Sequence, residues 1–481
     1  MIFNSLQYLL FFPAITALYF IIPFRYRWIL LLAGSYYFYM SWNVKFVFLI
    51  IFSTVFDYLI ALAIDRTDDE KRRKRLVMLS IFLNLAFLFV FKYLTFFTEQ
   101  TQQLVNYFGL DIALPSFNIL LPVGISFYTF QTLSYTIDVY KRKIKPEKHL
   151  GIFALYVSFF PQLVAGPIER SENLLPQFHD NKPFSYENVT GGLKLMAWGF
   201  FKKLVIADRA AVIANSVYNN PYAYDNGAYF IIATLAFAFQ IYGDFSGYSD
   251  IAIGSAKVLG FNLMKNFDRP YCSSNIAEFW RRWHISLSSW FKDYLYIPLG
   301  GSRVSFPRWA FNIFVVFLVS GLWHGASWTF ILWGAVHGLL QVLQRIVSPY
   351  LKKHLGFLYI GGFAPFGKLI FIICTFVFVN LAWVLFRANT ISDAFYILRH
   401  MLVNIDFSSA LAAFNSFDMK VLAGSIVLME IVQYAGSRLA ERGLKFGDFH
   451  FAVRWPCYWA LVMWIFVFAK IGSHDFIYFQ F

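Results

Sequence analysis

The 481-residue chain is poor in charge: Asp, Glu, Lys and Arg make up only 14%, against 59% hydrophobic residues. A soluble domain of this size carries nearly twice that charged fraction, so a surface of ordinary water-facing polarity is excluded. Cysteine is scarce too. Cys272, Cys374 and Cys457 have neither pairing nor metal-ligand spacing, which excludes a disulfide framework and a thiolate zinc site. No metal-ligand cluster, tandem repeat or low-complexity linker is legible. No Lys or Arg precedes Arg25, so the basic region of a signal peptide is missing and the first apolar stretch reads as a retained span.

What the chain has is apolar runs of about 17 to 25 residues, the length that crosses roughly 30 Å of hydrocarbon. The expected fold is an all-α polytopic membrane protein, a single integral-membrane domain over residues 1–481. About twelve spans are expected, with re-entrant or interfacial helices in addition. They fall near 6–23, 28–43, 46–64, 76–97, 118–139, 190–215, 227–245, 308–323, 328–346, 366–386, 420–437 and 455–473.

The net charge of +14 follows topology rather than nucleic-acid binding. Basic clusters lie between the runs, as in "DRTDDEKRRKR" at 65–75 and "KRKIKPEKH" at 141–149, whereas 99–118 has two acids and no base. With both termini outside, every basic cluster falls in the cytoplasm. Segments 150–170 and 271–300 then enter and leave from that side.

Ionisable groups inside apolar segments are costly and invite a functional hypothesis. His324, in "SGLWHGASW", is flanked by Gly321 and Gly325 and by Trp323 and Trp328. The glycines let backbone approach the imidazole and the indoles could wall off a dry cavity. A neutral imidazole there can take a proton from a hydroxyl, or simply pack between helices. Stretch 278–295 is amphipathic, with Phe279, Trp280, Trp283, Leu287, Trp290, Phe291 and Tyr294 at helical spacing. It reads as an interfacial anchor helix, or as an element whose His284 looks into a cavity. His337 reads as a packing histidine. "PQLVAGPIER" at 161–170 resembles a re-entrant turn, and "YGDFSGYSDIAIG" at 242–254 sets Asp244 and Asp250 at the end of a span. Either could line a channel or be purely structural.

These stretches, with "NFDRPYCSSNIAEFWRRWHISLSSWFKDYLYIPLGG" and "FLVSGLWHGASWTFILWGAVHG", resemble the membrane-bound O-acyltransferase superfamily, in its bacterial alginate and peptidoglycan O-acetyltransferase branch. The resemblance implies a helical ring around a thin, funnelled centre, with a tunnel joining the two faces. It makes His324 the central catalytic histidine and His284 the second motif histidine. Trp283, Trp323, Asp244 and Arg282 are expected to line the tunnel or the donor site. The implied donor is a cytoplasmic thioester, acetyl-CoA, with no bound cofactor or metal. The implied partners are a periplasmic Ser-His-Asp acyltransferase of the SGNH type and a cell-envelope or secreted polysaccharide acceptor.

The chain closes on "HDFIYFQF" (474–481), an outward-facing aromatic tail on this topology. Phe476, Tyr478 and Phe481 form a Phe-x-Tyr-x-x-Phe motif. In related acyl-transfer systems such a motif presents a tyrosine that carries the acyl group, which makes Tyr478 the expected carrier and Phe476 and Phe481 its docking residues. An aromatic-belt anchor is the plain alternative. D-alanyl transfer to teichoic acid and a non-enzymatic transporter also stay open. The first usually keeps its tyrosine motif on a separate small protein, and the second should show inverted repeats, which are not detectable here.

Overall fold

The computed structural model describes residues 1–117, 119–164, 166–359, 364–470 and 476–477. The described residues form helices and connecting turns, with no strand among them. Among the described residues eight helices are long and apolar enough to cross a membrane, and Leu6–Ile21 is a shorter apolar helix. The chain is a multi-pass, all-α membrane protein, as the hydrophobic runs predict.

Two compact units are distinguishable: Met1–Lys194 with Ala252–Lys265 and Gly325–Ser327, and Leu195–Ile251 with Asn266–His324 and Trp328–Phe481. The first is organised around polar knots. Asp57, fully buried in the Val47–Asp65 helix, accepts from Ser80 Oγ (2.6 Å) and Asn84 Nδ2 (2.9 Å). A carboxylate so placed survives only because neutral donors replace its water. "PQLVAGPIER" is tied down in the same manner. Pro161 opens the short Phe160–Leu163 helix, and Gln162 Nε2 donates to the Tyr156 carbonyl at 2.8 Å. Buried Glu169 accepts from Asn173 Nδ2 at 2.7 Å and from the Met264 N–H, and burial pushes its carboxyl up to about 7.

The second unit holds the predicted site. In it Phe306–His324 packs closely on Trp328–His354. A Cβ on Gly321 would collide with the Phe330 carbonyl, and one on Gly334 with the Phe317 carbonyl. Small residues at such a crossing let helix backbones touch where lipid supplies no hydrophobic drive. Gly321 therefore serves the neighbouring helix and fixes where His324, the last residue of its own helix, emerges.

Two expectations change. The span expected at 227–245 is part of a 32-residue helix, Gly227–Val258, so Asp244 and Asp250 lie within a helix rather than at a span end. The helix expected through 278–295 is broken into Ile276–Arg282 and Ile285–Phe291. His284 sits at the break with φ 43° and ψ 56°, a left-handed conformation that costs a non-glycine residue roughly 1–3 kcal/mol.

Candidate active site

His324 is 4% exposed and walled by rings. Trp323 lies 5.0 Å from it between centroids, Trp333 5.1 Å at 90°, and Phe386 5.2 Å at 75°. Trp383 stacks on Trp333 at 5.9 Å, and Trp283 packs on Trp383 at 5.1 Å. Trp323 thus packs edge-on against the imidazole. Trp328 is half-exposed, whereas Trp333, nine residues beyond the histidine, packs on the imidazole. An imidazole among indoles keeps bulk water away, so charge developing on it is weakly screened.

His284 is 1% exposed and meets the other edge of Trp323, 5.9 Å between ring centroids. Its tautomer follows from its partners. Asn266 Oδ1 accepts from the Ser286 N–H (3.2 Å) and from Ser286 Oγ (2.9 Å), which fixes that atom as the amide oxygen. His284 Nδ1, 3.1 Å from it, must then carry the proton, and Nε2 holds the ring's lone pair. Burial lowers the His284 pKa to about 3, so the ring is neutral at physiological pH. The left-handed backbone at residue 284 turns this ring inward, where it meets Phe245 at 4.6 Å. Trp280, Trp283 and Trp290 are buried as well, which removes the interfacial-anchor reading of this stretch.

His337 accepts from Trp280 Nε1 at 3.3 Å and is fully buried, as a packing histidine should be. Arg282 is turned to Glu278, 2.7 Å away, and is partly exposed. Asp244 is 2% exposed and lies 2.7 Å from Lys203 Nζ, which also meets Asp208 at 2.9 Å. Lys202 pairs with Asp250 at 2.7 Å and donates to Ser246 Oγ at 3.0 Å. Both lysines lie in a π-helical segment, Phe201–Ala207, inserted between Tyr186–Phe200 and Asp208–Tyr218. Such a segment rotates the side chains that follow it by an extra residue and is frequent at functional sites.

Phe476 is 2% exposed, its ring 4.6 Å from Tyr248 and 6.0 Å from Phe245. The next residue, Ile477, donates its backbone N–H to Asp244 Oδ2 at 2.7 Å. Tyr478 and Phe481 lie outside the described residues.

A family model for the membrane-bound O-acyltransferase family matches residues 148–386, which contain both motif histidines. The chain is 40% identical over 398 residues to a probable alginate O-acetylase of Pseudomonas aeruginosa, covering 82% of this chain and 73% of that protein. It is 37% identical over 402 residues to a peptidoglycan O-acetyltransferase of Helicobacter pylori, covering 77% and 73%. A teichoic acid D-alanyltransferase of Bacillus subtilis is 26% identical over 261 residues, half of this chain. The chain belongs to the membrane-bound O-acyltransferase family. It is an acyltransferase by that membership.

Within this O-acyltransferase, the residues that sequence reasoning missed are Trp333, Asn266, Lys202, Lys203 and Asp208. The two lysines did leave a signal: "FFKKLVIAD" puts them inside the span expected at 190–215, where every buried cation needs a counter-charge. Asn266 left none. Its role depends on a fold that returns residues 284–286 to it, with the Ile285 N–H also donating to its carbonyl at 2.9 Å.

Proposed function

We propose that this enzyme moves an acetyl group from acetyl-CoA at the cytoplasmic face of a bacterial inner membrane to an acceptor outside. Tyr478 carries the group on the far side, and a periplasmic Ser-His-Asp acyltransferase passes it to a cell-envelope or secreted polysaccharide. The observation that carries this reading is the buried position of His324 between indole rings at a helix end. Acetyl is favoured over D-alanyl because identity to the acetyltransferases is higher and spans more of the chain.

In the proposed step His324 takes the phenolic proton of Tyr478 as the oxygen attacks the thioester carbonyl. The C–S bond breaks, the Tyr478 O–C bond forms, and the proton passes from His324 to the leaving thiolate. A thiolate leaves readily, so no metal is required for the step. A phenol of pKa about 10 makes an ester more reactive than that of a sugar hydroxyl, so later transfers run downhill or nearly level. His284, held neutral by burial and oriented by Asn266, positions the donor rather than moving the proton. The charge pattern supports the topology, with both termini periplasmic.

The test uses enzyme purified into lipid nanodiscs with the partner acyltransferase, acetyl-CoA and acceptor. His324→Ala should remain folded and lose at least a hundredfold in acetyl transfer, since acid–base groups contribute about 10²–10⁴-fold. More than a tenth of the wild-type rate would remove His324 as the base.

A further inference from the structure

The Asp244 carboxylate has two distinct tasks. Its Oδ1 faces Lys203 Nζ at 2.7 Å, and its Oδ2 accepts the backbone N–H of Ile477 at 2.7 Å. Asp208 meets the same lysine at 2.9 Å, so Lys203 is held between two acids in a site where all three are 3% exposed or less. A buried ion pair could serve the fold alone. A loop amide hydrogen-bonded to a buried carboxylate is a different matter, because it binds a segment through its backbone and depends on no side chain there. Hydrogen bonds to an ionised acceptor are about twice as strong as neutral ones.

Further contacts hold Lys470 and Phe476. Lys470 donates its N–H to the Leu204 carbonyl at 3.0 Å, and its Nζ lies 2.9 Å from Asp418. Phe476 fills the space against Tyr248 and Phe245, and Phe245 itself lies edge-on to His284. Residues 470, 476 and 477 are thus all held on the helices that carry Lys203 and Asp244. Tyr478 follows one peptide bond later.

We infer that the Lys203–Asp244 pair is a backbone clamp for Phe476 and Ile477, and that by holding the two residues that precede Tyr478 it acts as a positioning device for Tyr478 in acyl transfer. The functional half of this inference rests on the carrier reading of Tyr478; the clamp itself does not. Lys203 and Asp208 fix the rotamer of Asp244, Asp244 fixes the amide of Ile477, and Phe476 fixes the direction in which the chain leaves.

The test measures hydrogen–deuterium exchange of the peptide covering 470–481 in full-length enzyme, together with acetylation of Tyr478 from acetyl-CoA. Asp244→Ala removes the acceptor and strips Lys203 of one partner. Ile477→Pro removes the donated N–H, with the buried Ile477 side chain, and leaves the ion pairs whole, which covers the case in which Asp244→Ala fails to fold. Both should speed exchange of the peptide at least tenfold and lower Tyr478 acetylation by about tenfold. Asp244→Asn keeps an oxygen for the amide and should fall between them and wild type. Unchanged exchange in Ile477→Pro would overturn the clamp, and released peptide with undiminished acetylation would overturn its positioning role. Tyr478→Phe should leave the peptide protected. If that variant is fully active, the carrier reading fails while the clamp is still read by exchange.

Discussion

His284 donates its Nδ1 proton to Asn266 Oδ1 across 3.1 Å, and the same oxygen is held by Ser286 through both its N–H and its hydroxyl. The tautomer of the second motif histidine is therefore set by a neutral amide. Asn266→Ala should keep the fold and lower kcat roughly tenfold with little change in KM, by analogy with other residues that orient a histidine. Asn266→Asp should instead place a carboxylate beside the ring and raise its pKa, adding a limb to the pH–rate profile between pH 5 and 8. The wild-type profile should carry no limb from His284 in that range. An Asn266→Ala enzyme with normal kcat would show that the orientation is unimportant.

The same burial makes a prediction about stability. The folded pKa of His284 is about 3, below the ordinary histidine value of 6.5. The unfolded chain therefore binds the extra proton first as pH falls. Its contribution is fully present above pH 6.5 and is lost progressively as pH drops toward 3, at about 1.4 kcal/mol per unit. The ring meets Phe245, Phe267, Trp323 and Asn266, none of which offers it a charge. Thermal unfolding from pH 7 to pH 4.5 should show a shallower loss in His284→Gln than in wild type. Parallel curves would contradict a buried, neutral ring.

Two glycines in helices should respond in opposite directions. Gly321→Ala drives a methyl into the Phe330 carbonyl and should destabilise the protein by about 1–3 kcal/mol, with loss of activity as His324 is displaced. Gly424, in Ser416–Glu441, has nothing within 4 Å of where its Cβ would be. Gly424→Ala should be neutral or stabilise by up to about 1 kcal/mol. Melting temperatures of the two variants in one detergent check this directly.

Eight of the twelve expected runs were legible as helices long and apolar enough to cross a membrane among the described residues, because lipid demands length and apolarity. His324 was legible as an ionisable residue between apolar helices. The break at His284 was not, because Trp280, Trp283 and Leu287 keep helical spacing across it and only the backbone angle at residue 284 ends the helix. Asp244 was singled out as a polar residue at the end of an expected span, but its partners were not. Lys203 lies 41 positions earlier and Ile477 lies 233 positions later, and no local pattern joins them. Trp333 was hidden for a simpler reason. Tryptophan is common in this chain, and Trp328 was the nearer candidate for the wall around His324.

The central claim is that the acyl group crosses by way of His324 and rests on Tyr478. The most direct measurement is mass spectrometry of the 470–481 peptide after a pulse of isotopically labelled acetyl-CoA, with the periplasmic acyltransferase withheld. One labelled acetyl ester is expected on Tyr478 in the wild type and none in His324→Ala or Tyr478→Phe. Returning the partner and acceptor should discharge the label into polysaccharide. Labelled polysaccharide formed at the normal rate by Tyr478→Phe, with no label ever found on the peptide, would contradict it.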